Sequence, residues 1–255
     1  MAYCLGAVII QEAEHLAGWL GSALSIGLAS TTLAARDLWD HARAVDDPLQ
    51  AGDLPAARGA VAMIVGRDTA ELSESEVARA TVETVAESVS DGVIAPLLYL
   101  AVGGAPLALA YKAVNTLDSM IGHRDERYAY LGWASARLDD LVNWIPARLS
   151  AVLLLLGAGL ITQELERIRN GWRVFQRDGS LHPSPNSGRP EAAMAGILGI
   201  RLGGTNFYDG IAHDRPILGV EGRSAEPRDM TLAATIMVAA SGLGVILAVG
   251  IKWLV

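Results

Sequence analysis

The 255-residue sequence contains one cysteine, Cys4. That excludes an internal disulfide framework and any cysteine-based metal site. Positive charge is also short: 20 Lys and Arg face 28 Asp and Glu, a formal net charge of −8. Nucleic acid is therefore not an expected partner, because neutralising phosphates needs a basic face. No Walker A pattern occurs, so a nucleotide site here is not a P-loop. Tandem repeats, low-complexity tails and a domain linker are lacking, and residues 1–255 read as a single domain. No alternating apolar–polar run long enough for a strand stands out, which leaves an all-α reading. The first four residues carry no basic charge ahead of the apolar residues 5–10, so no cleavable signal is read. The chain opens abruptly in hydrophobic sequence, as if part of an earlier helix were missing.

What is present is apolar sequence in blocks. Hydrophobic residues make up 51% of the chain, and the mean hydropathy of +0.32 is high for a soluble domain. It is modest for a protein that is nearly all membrane spans. A polytopic integral membrane helical protein with sizeable polar loops is expected. Residues 16–35 are 20 in a row without charge, enough for a helix to cross a hydrocarbon core of about 30 Å. Residues 231–255 are a second strong candidate, with Lys252 placed to snorkel. Residues 93–117 are weaker, being broken by Gly103-Gly104-Ala105-Pro106. Residues 149–161, extendable to Trp144, are only 13 long and fit a buried or re-entrant helix better than a crossing. If all four cross, the polar segments 36–91 and 162–230 lie on one side, with 14 basic residues against 6 opposite. If the weaker two are re-entrant, all three polar segments, including 112–148, face the cytoplasm. A single ATP-using site needs that second arrangement, or access through the membrane midplane.

The densest polar chemistry lies in Asn115-Thr-Leu-Asp118-Ser-Met-Ile-Gly122-His-Arg124 and Arg137-Leu-Asp139-Asp140-Leu-Val-Asn143-Trp-Ile-Pro146-Ala-Arg148. Such a cluster between membrane-grade helices is costly unless it binds something polar. Lys112, Asn115 and Ser119 share a helical face, with Asp118 beside them. A lysine in an apolar helix costs about 2.5–3.5 kcal/mol unless it is paired or near the interface. A phosphate or Asp118 could pair it, or it could snorkel. Asp139, Asp140 and Asn143 offer hard oxygen ligands on adjacent turns, a set that suits Mg²⁺ carrying a phosphate substrate. Arg137 and Arg148, like Arg124 and Arg127, could grip phosphate oxygens or simply neutralise the acids.

Glu83, Glu87 and Asp91 recur at four-residue intervals and would line one helix face with like charges in contact. A cation would relieve them, and so would water with help from Arg79. The run into Gly92-Val-Ile-Ala-Pro96 puts Asp91 at a water–apolar boundary. His182-Pro-Ser-Pro-Asn186-Ser-Gly-Arg-Pro190-Glu191 is a stiff loop ending at a helix start, with Pro190 suited to the first helical position and Glu191 to the first turn. Free N–H groups there make an anion site, or the loop is a plain helix entry. Arg67-Asp68-Thr69 reads as a helix end with a capping turn. Gly199-Ile-Arg-Leu-Gly203 is a small-residue pair that would permit close helix approach.

In this order the stretches closely resemble the CobD/CbiB family, the membrane adenosylcobinamide-phosphate synthases of vitamin B12 biosynthesis. The matching blocks begin with Met63-Ile-Val-Gly-Arg-Asp-Thr69, Thr81-Val-Glu-Thr-Val-Ala-Glu87, Ser90-Asp-Gly-Val-Ile-Ala-Pro96, Gly103-Gly-Ala-Pro106 and Ala110-Tyr-Lys-Ala-Val-Asn-Thr-Leu-Asp-Ser-Met-Ile-Gly122. They continue through Ala136-Arg-Leu-Asp-Asp140, Asn143-Trp-Ile-Pro-Ala-Arg148, His182-Pro-Ser-Pro-Asn186, Pro190-Glu-Ala-Ala193 and Arg201-Leu-Gly-Gly204. Together they cover most of residues 36–230. Two departures stand out. Ser88 stands where the family usually has Asn, and nothing here matches the family's first membrane segment with its Gly-Asp-Pro and His-Pro motifs.

The resemblance implies a multi-pass protein of the cytoplasmic membrane that performs an ATP-dependent amide ligation. The f-side propionate of adenosylcobyric acid would be joined to aminopropanol or its O-phosphate, with ATP and Mg²⁺ as cofactors. Other cobalamin biosynthetic enzymes are conceivable partners. On this reading Asp118, Asp139 and Asp140, with Glu83, Glu87 and Asp91, hold Mg²⁺–ATP. Lys112, Arg124, Arg137 and Arg148 contact phosphates, and Asn115, Asn143 and Glu191 help bind substrate. His182 and Asn186 orient the amine or the acyl group. Two other readings compete: a Mg²⁺-dependent membrane diphosphate or alcohol transferase, and a non-catalytic scaffold for cobalamin enzymes.

Overall fold

A computed structural model describes residues 1–121 and 129–254. Its helices are α1 (Ala2–Leu16), α2 (Gly18–Ser30), α3 (Ala35–Gln50), α4 (Leu54–Ala62), α5 (Glu74–Val89), α6 (Ala95–Ile121), α7 (Ala129–Val142), α8 (Trp144–Thr162), α9 (Leu165–Asp178), α10 (Gly188–Leu198) and α11 (Pro227–Leu254). A π turn, Ser90–Ile94, joins α5 to α6, and two strands, β1 (Leu202–Tyr208) and β2 (Ile211–Leu218), precede α11. The chain forms two compact units. One comprises Met1–Ala34, Asp91–Pro146 and Gly244–Val255, the other Ala35–Ser90 and Ala147–Leu243.

The expected helical membrane architecture is present: the stretches Glu74–Ile121, Trp144–Thr162 and Pro227–Leu254 are long and apolar enough to cross a membrane. Two expectations about individual spans are corrected. Residues 16–35 do not make one crossing helix. Ala17 is extended (φ −164°, ψ 128°) and splits α1 from α2. Helix α2 has 13 residues, or about 20 Å of rise against a hydrocarbon core of about 30 Å. The two helices fold back on each other, and Gly21 permits it: a Cβ there would sit 2.0 Å from Glu14 Cγ. Conversely, the short run 149–161 lies inside a 19-residue helix, α8, because Trp144–Arg148 continue it at the N-terminal end. In the first unit α1 and α2 pack on α6, and α7 packs on α6. Helix α6 bends at Gly103 and Gly104, where φ/ψ reach −134°/17° and 68°/−170°. The positive φ at Gly104 is one that only glycine adopts cheaply.

In the second unit α10 is the core element, with Ala192 to Leu198 all buried. It packs against α9 at a glycine crossing, where a Cβ on Gly196 would lie 2.7 Å from the Gly171 Cα. Helices α8 and α11 approach just as closely, since a Cβ on Gly157 would meet the Ala240 N and Ile236 O at 3.0 Å. Helix α5 begins with a reciprocal Ser73–Glu76 capping box.

Strands β1 and β2 form an antiparallel hairpin with Asn206 opposite His213 and Gly204 opposite Arg215. The purely helical reading missed it. Its turn is Asp209-Gly210, with φ of 51° and 76°, the doubly positive pattern of the tight hairpin turn that Asp-Gly favours. The Arg67-Asp68-Thr69 turn does not cap a helix, because α4 has already ended at Ala62. Asp68 instead accepts the N–H groups of Asp209 (3.3 Å) and Gly210 (2.8 Å) and donates its own to the Phe207 carbonyl (2.8 Å). Gly199 and Gly203 are not a helix-packing pair either. Gly199 ends α10 in the left-handed region (φ 66°), and Gly203 lies in β1.

Candidate functional site

Each unit carries one buried polar cluster. In the first unit the π turn, α6 and α7 supply it. A π turn inserts an extra residue and so re-aims the side chains that follow. Asn115, 8% exposed, donates from Nδ2 to Asp91 Oδ2 and to Asp139 Oδ1, both at 3.3 Å. Its two amide protons thus bridge two carboxylates. Tyr111 Oη donates to Asn143 Oδ1 at 2.9 Å, while the buried Asn143 Nδ2 lies near Asp139 without completing a hydrogen bond. Tyr99 stacks on Tyr111 with centroids 5.0 Å apart and donates to the Val142 carbonyl at 2.8 Å, fixing the end of α7.

Burial raises the Asp139 carboxyl above the usual aspartate range. Asp118 and Asp140 add to that, and the Asn143 and Asn115 amides oppose it. Asp140 is raised by burial too, against the pull of Arg137. Crowded acids of this kind favour either a proton or a cation. The described residues contain no group of three or more His, Cys, Asp or Glu placed to hold a metal by themselves.

Around this cluster the expected phosphate contacts separate. Arg137 is exposed, 3.5 Å from Asp140 and 6.0 Å from the Trp133 ring centroid. Lys112 lines an apolar pocket of 490 Å³ with Leu5, Ile9, Leu28, Leu109 and Met120. Arg124 lies outside the described residues, as does Arg127.

The second unit's cluster is built by α5, the loop before α10, and the hairpin. Glu83 Oε2 accepts from Arg67 Nη2 at 2.8 Å, and its Oε1 accepts the Gly203 N–H at 2.8 Å, with Arg79 Nη1 at 3.5 Å. Asn206 Oδ1 accepts from both Arg67 Nη1 (2.5 Å) and Arg79 Nη2 (3.0 Å), and Arg79 also donates to the Gly203 carbonyl. One turn along α5, Glu87 Oε1 accepts from Ser187 Oγ at 2.8 Å. Ser184 Oγ receives the N–H groups of Asn186 (3.3 Å) and Ser187 (3.2 Å), which shapes the loop. The Ser184 N–H donates to His182 Nδ1 at 3.0 Å, leaving the imidazole proton on Nε2, which is buried without a partner. Burial and then Arg215 lower the pKa of His182, so the ring is neutral at neutral pH.

Glu191 is 3% exposed. Burial first, then Glu87 and Glu83, hold its carboxyl well above the usual range, so it carries its proton. Pro190 occupies the third position of α10 rather than the first, because the helix starts at Gly188. Arg148 Nη1 lies 3.5 Å from Asn186 Oδ1, so this arginine reaches the His182 loop.

The expected acidic metal face is corrected. Glu83 is already neutralised by Arg67 and Arg79, and Glu87 is held by Ser187. Asp91 lies within the π turn and accepts from Asn115, and among the described residues the three acids of that face, which had been grouped with Asp139 and Asp140, make no group of three or more placed to hold a metal. Sequence reasoning missed Arg67, Ser187, Asn206 and Arg215, while Arg79, read as a partner of the acidic face, does pair with Glu83. Arg67 and Ser187 lay within quoted stretches, and the Asp-Gly turn was the available signal for the hairpin that carries Asn206 and Arg215.

Three stretches long and apolar enough to cross a membrane, in a chain that also holds two clusters of polar and charged side chains, define a membrane-type helical protein. The family model described as CobD/Cbib protein matches residues 1–237, and the chain belongs to this CobD/CbiB family. Among its relatives, the cobalamin biosynthesis protein CobD of Geobacter metallireducens is 58% identical over 215 residues, 84% of this chain and 66% of that protein. CobD of Klebsiella pneumoniae is 47% identical over 97% of this chain and 77% of that protein. The cobalamin biosynthesis protein CbiB of Salmonella typhimurium is 43% identical over 96% and 76%. The chain thus spans about two thirds to three quarters of the length of these relatives. No solved structure matches it.

Proposed function

We propose that this protein acts in cobalamin biosynthesis as an ATP-dependent ligase. It joins aminopropanol or its O-phosphate to the f-side propionate of adenosylcobyric acid through an amide bond. Family membership and the names of the relatives support the cobalamin role. The ligation chemistry is what the resemblance to the family implies, and the observation that best fits a metal–nucleotide site for it is the Asn115 amide bridging Asp91 and Asp139 at 3.3 Å each. Half-buried carboxylates held together among apolar helices carry like-charge repulsion that a cation would relieve.

Magnesium fits that donor set. Mg²⁺ is usually held by one or two carboxylates together with substrate phosphates rather than by an all-protein cage. Asp91 and Asp139 would supply the carboxylates, with Asp118 and Asp140 as neighbours. Mg²⁺–ATP held there would supply the phosphoryl group that activates the propionate as an acyl phosphate, with ADP as the leaving group. Attack of the amine nitrogen on the acyl carbon then forms the C–N bond and releases inorganic phosphate, and the nitrogen loses a proton. His182 and Asn186 orient the amine or the acyl group, and the neutral His182 imidazole keeps a lone pair only at Nδ1, which Ser184 occupies. That ring therefore donates from Nε2 and positions rather than takes the amine proton.

The test is turnover by purified protein supplied with ATP, Mg²⁺, adenosylcobyric acid and the amine, following amide product and corrinoid-dependent ADP release. Asp139→Asn should lower turnover by at least about 100-fold while leaving the melting temperature unchanged, as expected for loss of a charge-stabilising ligand. Product formation near the wild-type rate in this variant removes the carboxylate pair from the reaction. Absence of product from the wild-type protein, with ADP release also absent, favours a scaffold.

A further inference from the structure

The second cluster has a lopsided hydrogen-bond account. Its buried atoms without a partner are Arg67 Nε, Asn206 Nδ2 and His182 Nε2, with Arg189 Nε close by in α10. On the tautomer fixed by Ser184, every one of them is a donor. Asn206 and Arg67 are 3% and 9% exposed, so water does not readily serve them. Several acceptors, by contrast, are already used. Both Glu83 oxygens and Asn206 Oδ1 each take one or two donors, and Glu87 takes the Ser187 hydroxyl. Buried donors without acceptors are rare in folded proteins, and each one calls for an explanation.

The charges lean the same way. Arg67, Arg79 and Arg215 stand against Glu83 and Glu87, with Glu191 and His182 neutral. Arg215 lies opposite Gly204 in the hairpin, on the same face as Asn206, which is the face turned to Glu83 through Arg67 and Arg79. Unlike the other two arginines it has no carboxylate: among the described residues its side chain donates only to Tyr208 Oη, at 3.2 Å. Opposite it Gly204 has no side chain, and a Cβ there would meet nothing closer than Arg79 Nη1 at 3.9 Å.

We infer that this cluster is an anion subsite for a phosphate monoester, with Arg215 as its principal charged contact and Asn206, Arg67 and His182 as supporting donors. An anionic group supplies several acceptor oxygens to a pocket that has donors in surplus, and guanidinium matches phosphate in both geometry and charge. The amine phosphate and the nucleotide share this chemistry. Attributing the anion to either of them rests on the ligase reading above, whereas anion binding itself does not.

The experiment is isothermal titration calorimetry on the full chain in detergent micelles, without turnover. The ligands are 1-amino-2-propanol O-phosphate, unphosphorylated 1-amino-2-propanol, ATP and inorganic phosphate. Arg215→Gln should weaken one of the phosphate ligands by about 10- to 100-fold, the loss of one charge-assisted contact. Arg215→Lys should recover part of that affinity. A loss confined to the amine phosphate assigns the subsite to the amine substrate, and a loss confined to ATP assigns it to the nucleotide; either supports the subsite. Equal affinity of wild type and Arg215→Gln for all four ligands overturns it, as does failure of the wild type to bind any of them. Melting curves on the same samples show whether Arg215→Gln is folded; if it is not, Arg215→Lys and Tyr208→Phe carry the comparison. A failed ligation assay beside an intact Arg215-dependent affinity would sink the ligase reading and leave the subsite standing.

Discussion

Arg67 and Arg36 form ion pairs of similar length and very different consequence. Arg67 Nη2 lies 2.8 Å from Glu83, and the two side chains are 5% and 12% exposed. Arg36 Nε lies 2.6 Å from Asp40, with side chains 84% and 52% exposed. Solvent and salt screen the second pair, and holding two long side chains in place offsets what attraction remains. In the first pair, removing the arginine leaves a buried carboxylate without its main counter-charge, a change that costs about 3–5 kcal/mol. Glu83 would keep the Gly203 N–H at 2.8 Å and Arg79 at 3.5 Å, so the lower end, about 3 kcal/mol, is expected for Arg67→Ala. For a chain of this size each kcal/mol moves the melting temperature by about 2–4 °C. Arg67→Ala should therefore melt about 6–12 °C below wild type, and Arg36→Ala within replicate scatter of it. The assay is far-ultraviolet circular dichroism with tryptophan fluorescence in one detergent. Limited proteolysis should show the hairpin cut first in Arg67→Ala, because Asn206 loses a donor as well. Equal melting of the two variants would refute the burial argument, and with it any structural weight given to Arg67 between Glu83 of α5 and Asn206 of β1.

Two further outcomes follow from the same structure. Glu191 binds its proton more tightly folded than unfolded, so its contribution to stability falls as pH rises from the ordinary glutamate value, about 4.3, through the raised folded value. Glu191→Gln has no such proton to lose. Its melting temperature should gain on wild type between pH 5 and pH 8, and a constant difference across that range would contradict a buried, protonated Glu191. At the α8–α11 contact, Gly157→Val should lower the melting temperature through overpacking of about 1–3 kcal/mol, with Gly157→Ala in between. Unchanged melting of both would mean these helices do not touch at Gly157.

How much of this was legible in the sequence depended on the range of the signal. Long apolar blocks without charge announced α11, because composition alone decides whether a helix tolerates a bilayer. The same rule overcalled residues 16–35. It counts apolar residues and takes no account of Ala17, where an extended backbone lets α2 turn back on α1. It undercalled α8, because Trp144 to Arg148 were left out of the run although they are helical. The hairpin was hidden for a different reason. Its strands carry glycine, asparagine and charge in place of an apolar alternation, and they are held by side chains from distant sequence, Arg67, Asp68 and Arg79. Only Asp209-Gly210 spoke locally. Residue types at the two clusters were readable as polar islands, whereas partners were not. Asn115 to Asp139 and Glu87 to Ser187 span 24 and 100 positions, and helical spacing says nothing across such distances.

The acids show why residue type is a poor guide to role when partners are unknown. Glu83, Glu87 and Asp91 look equivalent at four-residue spacing. The chain then gives Glu83 two arginines, gives Glu87 a serine hydroxyl, and within the π turn gives Asp91 an amide shared with another carboxylate. A carboxylate whose charge is already compensated is a structural strut, and adding a cation there would compete with guanidinium. A carboxylate that shares one amide with a second acid sits beside like charge, which a proton or a cation relieves. By the same reasoning, buried donors left over beside acceptors already in use are what the proposed anion subsite would satisfy. The two polar clusters of this chain therefore differ in kind, one crowded with acids and one with surplus donors, and it is on that difference, rather than on the number of acids in either, that the proposed metal–nucleotide and phosphate-ester roles are separated.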